Sequence, residues 1–324
     1  MGSARNRSWS ITRHNLYTKC PRAYFYEYFP WGEPEQDILW FLKRVKSVQL
    51  LAGDIVHELI SLALRQFHDK GVVTDLLVPA ANQFDLRVKE SLRIAEIVKS
   101  GKKPPSKGSV LAHHLEVGAS ECMELAGKAS VEDALRAFEI SEAWEVIRNS
   151  EPRLWVKILT DTDPKPYFEV SEKLGFQRAL GLRAYSVYDF AFRHRKEFVI
   201  VDWKTGEKSS YSIANTKLQT AVYSLWAMNQ GVKGANIRIQ PFFLQLGEAW
   251  SPQPVSEEAL DEVREMIQDH DSLMRDLVIR EDKGEKMIFH AKRLDFPPKA
   301  NPNICRGCKF RSICPEGSHV CCSQ

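Results

Sequence analysis

The 324-residue chain has no apolar run of membrane-spanning length; every candidate stretch is broken by charge. That excludes a helical membrane protein. It also lacks a dominant charge. Lys and Arg number 45 against 42 Asp and Glu, a net charge of +3, so its balance alone does not argue for nucleic acid. The first residues, Met1-Gly2-Ser3-Ala4-Arg5-Asn6-Arg7, have no apolar core of the signal-peptide kind, and the expectation is a cytoplasmic, intracellular protein. No G-x-x-x-x-G-K-[ST] phosphate loop occurs, so any motor working with it is another chain. Cysteine is scarce over most of the length: Cys20 stands near the start and Cys122 alone.

The remaining cysteines, Cys305, Cys308, Cys314, Cys321 and Cys322, crowd the end. In a reducing compartment such spacing favours metal over disulfides. C-x2-C-x5-C supplies three soft ligands on a tight loop. Zinc or an iron–sulfur cluster needs a fourth, from distant Cys20 or from local Cys321, Cys322 or His319. The plainer reading of Cys20 is a buried small hydrophobe.

Apolar content of 44% and charged content of 27% are those of a globular protein, one large domain or two ordinary ones. Basic residues cluster at Arg5 to Arg22, at Lys43, Arg44 and Lys46, and at Lys99 to Lys107; each cluster reads as solvated surface. The chemistry centres on Phe198-Val199-Ile200-Val201-Asp202-Trp203-Lys204-Thr205-Gly206. This is a buried strand running into a turn. Alternation puts Asp202 and Lys204 on one face and Val199, Val201 and Trp203 on the other. An anion and a cation two residues apart suit a metal-assisted hydrolase.

The rest arranges itself around that strand. Ser10 can cap a first helix, and Tyr24, Phe25 and Tyr26 read as core, with base stacking the alternative. Ile38 to Phe67 reads as helix, interrupted at Gly53 and restarted at Asp54, with His57 at the edge of an apolar stripe. Residues 70 to 165 read as mostly helical, with amphipathic stretches at Leu86–Val98 and Val131–Ile147 around a basic loop from Gly101 to Gly108. This part covers the core and could line a channel. Strands are expected at Tyr167–Leu174, Leu182–Phe192 and Phe198–Trp203. A hairpin turn at 193–197 sets Asp189 within about one residue of Asp202. Two such carboxylates call for a divalent metal. A helix over Asn215–Asn229 puts Gln219 and Tyr223 on one face. A right-handed crossover to a strand at Ile237–Leu246 lays them near Lys204. Glu257–Val278 is a further amphipathic helix.

Taken in order, Cys20-Pro21-Arg22-Ala23-Tyr24, Gly53-Asp54-Ile55-Val56-His57, Asp189, Asp202-Trp203-Lys204-Thr205-Gly206, Gln219-Thr220-Ala221-Val222-Tyr223 and the terminal C-x2-C-x5-C-P resemble a PD-(D/E)XK nuclease of the RecB type. The branch is the one with an iron–sulfur cluster, which includes the AddB nuclease domain and the CRISPR adaptation nucleases. The resemblance runs from about residue 8 to 315. It implies an α/β fold, a restriction-endonuclease-like mixed central sheet flanked by helices, with a helical insertion and a C-terminal Cys-rich region. Four parts are expected: N-terminal helices over 1–70, the helical insertion over 71–165, the nuclease core over 166–250 and the cluster region over 251–324.

The resemblance further implies that His57, Asp189 and Asp202 bind Mg2+ or Mn2+. Lys204 positions the attacking water or offsets charge, and Gln219 and Tyr223 help orient the site and DNA. Cys20, Cys305, Cys308 and Cys314 hold a [4Fe–4S] cluster that ties the chain ends together. Ser186 stands where the family usually has glycine, and Glu169 or Glu172 is the candidate for an upstream acid. Cys321 and Cys322 have no family counterpart. The expected activity is metal-dependent DNA cleavage, with an exonuclease on single-stranded ends favoured, in repair, CRISPR adaptation or phage-related processing. A helicase or an integrase is a possible partner. Rival readings are a partner-dependent DNA-binding subunit with a silent site and a zinc-stabilised nucleic-acid-binding protein.

Overall fold

The computed structural model describes residues 8–73, 75–115, 121–158, 166–206, 208–283 and 286–322. In chain order the elements are β1 (Ser8–Trp9), α1 (Ile11–Lys19), α2 (Pro21–Tyr28), α3 (Gln36–Leu42), β2 (Val45–Lys46), α4 (Val48–Lys70), α5 (Leu77–Lys99), β3 (Val110–Leu111), α6 (Ala112–Leu115), α7 (Glu121–Glu139), α8 (Glu142–Arg148), β4 (Trp155–Ile158), β5 (Tyr167–Glu169), β6 (Arg183–Tyr185), β7 (Phe190–His194), β8 (Glu197–Lys204), α9 (Ser210–Asn229), β9 (Ile237–Phe243), α10 (Glu257–Leu277), β10 (Val278–Lys283), β11 (Lys286–Ala291), α11 (Pro302–Cys305) and α12 (Pro315–Cys322). They form two compact units. One comprises Met1–Val45, Glu169–Tyr185 and Arg264–Gln324, and the other Lys46–Phe168 and Ser186–Val263.

The second unit is built on a mixed four-stranded sheet in the order β4-β7-β8-β9. β7 and β8 are an antiparallel hairpin, and β8 and β9 run parallel with α9 between them in sequence. The hairpin turns in two residues, Arg195 and Lys196, because His194 pairs with Glu197. Arg195 takes a φ of +56°, the one positive value at a non-glycine among the described residues. The alternation expected of β8 is present. Val199, Val201 and Trp203 join Phe190 and Phe192 in a core that also takes Ile55 and Leu59 of α4, Phe84 of α5, Leu135 and Phe138 of α7 and Trp144 of α8. The helical middle of the sequence therefore shares one core with the sheet. On the other face, Phe198 meets Trp226 of α9, ring centroids 6.4 Å apart.

Several sequence expectations are corrected here. Gly53 does not interrupt a helix, since α4 runs unbroken from Val48 to Lys70. A Cβ at Gly53 would stand 3.2 Å from Thr205 Oγ1, so the glycine admits the end of β8 against α4. The break lies earlier instead, between α3 and α4, where Ser47 caps the second helix. The expected strand at Tyr167–Leu174 ends at Glu169, and Glu172–Leu174 is a 3-10 turn. Leu182–Phe192 is two short strands in different sheets: the Ser186 amide, donating to Pro166 O, is the last bond on the β5 side, and from Phe190 the chain pairs with β8. Val131–Ile147 is divided at Ser141, whose hydroxyl accepts from Trp144 N and starts α8. α9 begins five residues earlier than expected, on a reciprocal Ser209–Ser212 capping box. The strand at Ile237–Leu246 stops at Phe243 and closes in a 3-10 turn. β4, unheralded by alternation, forms the edge beside β7.

In the first unit, Ser10 caps α1 by accepting from Arg13 N, and Pro21 opens α2 at its first turn. Tyr24, Phe25 and Tyr26 are each 1% exposed, so these rings are core and not a base-stacking platform. Phe296 packs parallel to Tyr24 at 6.2 Å. β1 pairs parallel with β6, and β10 with β11 as a hairpin. No described helix is long and apolar enough to cross a membrane.

Candidate active site and a four-cysteine cavity

The hairpin register decides the site. Phe190 pairs with Val201, so Asp189, one residue before β7, is carried to the position opposite Asp202. Both carboxylates are buried. Asp189 Oδ1 lies 2.9 Å from His57 Nδ1 of α4, and Asp189 Oδ2 accepts from Trp203 N at 2.7 Å. Asp202 Oδ1 accepts from the Tyr223 hydroxyl at 3.1 Å. Lys204 Nζ stands 2.5 Å from Asp202 Oδ2 and donates to Gln219 Oε1 at 2.7 Å. His57, Asp189, Asp202, Lys204, Gln219 and Tyr223 therefore meet in one place, all within the second unit. α9 supplies Gln219 and Tyr223 from one face because they are four residues apart.

The electrostatics follow from crowding two carboxylates in a dry place. Burial raises the Asp202 carboxyl above the ordinary range, and the Asp189 charge raises it further; Lys204 and His57 offset only part. Burial by itself lowers His57, but the Asp189 carboxylate outweighs it and holds the imidazole above its usual value. Tyr223 is pushed far up, by burial first and then by the two acids, so its proton stays on the hydroxyl that faces Asp202. Asp202 Oδ2 is buried, with the Lys204 ammonium as its ion-pair partner. Two buried carboxylates beside an imidazole are a donor set for a hard divalent cation.

The first unit holds the four cysteines expected to converge. Cys20, Cys305, Cys308 and Cys314 line one cavity, together with Arg22, Tyr26 and Phe310. Cys20 precedes α2, Cys305 ends α11, and the Cys308 amide donates back to Cys305 O, making the tight loop. Burial raises the Cys308 thiol, and the neighbouring Cys20 and Cys305 add to it. Burial likewise raises Cys314, whose thiol also donates to Glu316. Among the described residues no three of these sulfurs lie within 4.8 Å of one another. A single tetrahedral zinc would hold thiolates about 3.8 Å apart. Cys122 is exposed on α7. Cys321 and Cys322 end α12, and their side chains, like those of residues 1–7, lie outside what is described.

Glu169 and Glu172 belong to the first unit and are exposed, Glu169 in an ion pair with Arg183 at 2.8 Å. Ser186 is buried and its hydroxyl has no partner, so the small side chain fits without using its polarity. One group escaped the sequence reading altogether: His113 and His114 of α6 converge with Glu124 of α7. The adjacent histidines were the available signal, but nothing in their spacing pointed to Glu124.

The profile of the PD-(D/E)XK nuclease superfamily matches residues 8–315 of the chain. No curated protein gives a significant match.

Proposed function

The chain belongs to the PD-(D/E)XK nuclease superfamily, and from that we propose that it hydrolyses DNA phosphodiester bonds at the site formed by Asp189, Asp202 and Lys204. The observation that carries this is the convergence of two buried carboxylates on an ammonium and an imidazole, Asp202 Oδ2 lying 2.5 Å from Lys204 Nζ and Asp189 Oδ1 2.9 Å from His57 Nδ1. His57, Asp189 and Asp202 would hold Mg2+ or Mn2+, as is usual in the superfamily. A divalent ion there supplies Lewis acidity toward phosphate and an acidified water. His57, with Nδ1 committed to Asp189, offers Nε2 as its ligand atom. Asp189 can share its remaining lone pairs while keeping Trp203 N. Lys204, braced by Gln219, holds a positive charge where the phosphate becomes more negative. Tyr223 keeps Asp202 from rotating.

Cys20, Cys305, Cys308 and Cys314 are assigned to a [4Fe–4S] cluster of structural role. Their convergence on one cavity supports a shared metal group there, and the choice of a cluster over a single zinc rests on the resemblance of the motifs. The substrate is assigned as DNA with free single-stranded ends, in repair, CRISPR adaptation or phage-related processing, with a helicase or integrase as partner. That finer part rests on the resemblance of the motifs to the RecB-type branch.

The test is digestion of end-labelled single- and double-stranded DNA by anaerobically purified protein with Mg2+ or Mn2+, beside Asp202→Ala and Lys204→Ala. Cleavage by wild type alone is expected, with Lys204→Ala reduced about 10²–10³-fold. Closed circular single strands cut as readily as ends would overturn the exonuclease assignment. No cleavage by folded, DNA-binding protein would favour a subunit active only with a partner. Brown protein with iron and sulfide, lost in Cys308→Ser, is expected; colourless protein with one zinc in those cysteines would overturn the cluster.

A further inference from the structure

His113 and His114 are neighbours on a short helix, where successive side chains diverge by about 100°. Yet both Nε2 atoms reach one oxygen, Glu124 Oε1, at 3.3 and 2.6 Å. The three ligand atoms all lie within 4.8 Å of one another. A tetrahedral ion with N and O ligands at about 2.0–2.2 Å would space them about 3.3–3.5 Å apart. The two imidazole side chains are 9% and 0% exposed, against 23% for the carboxylate. The site is thus inside the unit with one side toward water.

The surroundings orient the ring as a metal's second shell does. Ser91 Oγ accepts from Leu111 N at 2.7 Å and lies 2.7 Å from His114 Nδ1. A hydroxyl can donate or accept, so His114 can carry its proton on either nitrogen. With the proton on Nδ1, the bare Nε2 lone pair faces a carboxylate, an arrangement that a cation between them turns from repulsive to attractive.

We propose that His113, His114 and Glu124 form a second metal site, for Zn2+ or a transition ion of similar softness, that fixes the first turn of α7. Two imidazoles and one carboxylate select such ions over Mg2+ and Ca2+, which prefer oxygen throughout. Three protein ligands leave the fourth position of tetrahedral zinc to water. The site reaches the catalytic strand through packing. Glu124 opens the helix that carries Phe138, and Phe138 stands edge-on to Trp203 at 5.3 Å, between Asp202 and Lys204 in sequence. Metal at this end would hold α7 in place behind that strand. The site does not depend on the nuclease assignment.

The experiment uses full-length protein purified anaerobically, so that the thiols keep their own occupant, with Asp202→Asn to disable the acidic site. Chelator-stripped protein is titrated with Zn2+ against a chromophoric competitor. One equivalent is expected, and Co2+ in its place should give a spectrum without thiolate-to-metal charge transfer. Glu124→Gln, nearly isosteric, should lose that equivalent or bind at least tenfold more weakly while keeping its far-ultraviolet circular dichroism. Equal stoichiometry and affinity in the variant would overturn the proposal. Should Glu124→Gln fail to fold, the parent protein still decides. A melting temperature raised by Zn2+ and a Co2+ spectrum of N and O ligation support the site; no shift or a thiolate spectrum overturns it.

Discussion

The amide of Trp203 donates to Asp189 Oδ2 at 2.7 Å, so the residue between Asp202 and Lys204 in sequence holds the opposing acid with its backbone. Asp189 therefore has a structural task besides the chemical one proposed for it. Asp189→Ala strands a buried N–H and should cost about 1–3 kcal/mol in urea unfolding. Asp189→Asn keeps an acceptor there and should cost less. Both should abolish metal-dependent cleavage, so a variant that is stable and inactive separates the two tasks.

The raised carboxyl of Asp202 should set the acid limit of the proposed cleavage. Its proton persists to a higher pH than an ordinary aspartate's, and proton and the proposed metal would compete for the same carboxylate. Cleavage should rise with pH through a midpoint above the usual carboxylate range, and more Mg2+ should move that midpoint down. Tyr223→Phe removes the hydrogen bond to Oδ1 and with it one anchor of the carboxylate. It should lower cleavage by about tenfold and stability by about 1 kcal/mol, measured as rate against metal concentration and as an unfolding midpoint. A pH profile insensitive to metal would contradict this account.

His270 makes the first unit sensitive to acid. Burial lowers its pKa to about 4, helped by His14 and Arg13 beside it, with Asp271 acting in the opposite sense. Its ring lies against Tyr17 and Tyr24. Since the folded value is below the ordinary 6.5, the unfolded chain takes up the proton first. Stability is then full above about pH 6.5 and falls as pH drops toward 4, by at most about 3 kcal/mol. His270→Gln should flatten the change in unfolding midpoint between pH 7.5 and 5.

Gly127 lies one turn beyond Glu124 on α7. A Cβ there would come 2.2 Å from Val48 Cγ1 and 3.1 Å from Phe84 Cζ. Alanine is the better helix former by about 1 kcal/mol, but overpacking costs about 1–3 kcal/mol. Gly127→Ala should therefore destabilise on balance, seen as a lower thermal midpoint.

The parts legible in the sequence are those that local periodicity encodes. The alternation of Val199, Val201 and Trp203 against Asp202 and Lys204, the 193–197 turn and the Gln219–Tyr223 spacing all led to the observed cluster. What was missed depends on long-range contact. Gly53 looks like a helix breaker until Thr205 is seen against it. Leu182–Phe192 is one apolar-rich run, and only its partners in two different sheets, β5 and then β8, reveal where it parts. The convergence of Glu124 on His113 and His114 joins two elements that no pattern links.

The two-residue turn at Arg195 and Lys196 is short enough to make chain length itself a determinant of chemistry. Side chains on a strand alternate, so a single residue inserted or deleted there, if the strands kept pairing, would send Asp189 to the apolar side with Phe190 and Phe192 exchanged outward. Substitutions in the turn are therefore tolerable in descendants of this chain where a change in its length is not, and variation there should come by replacement alone.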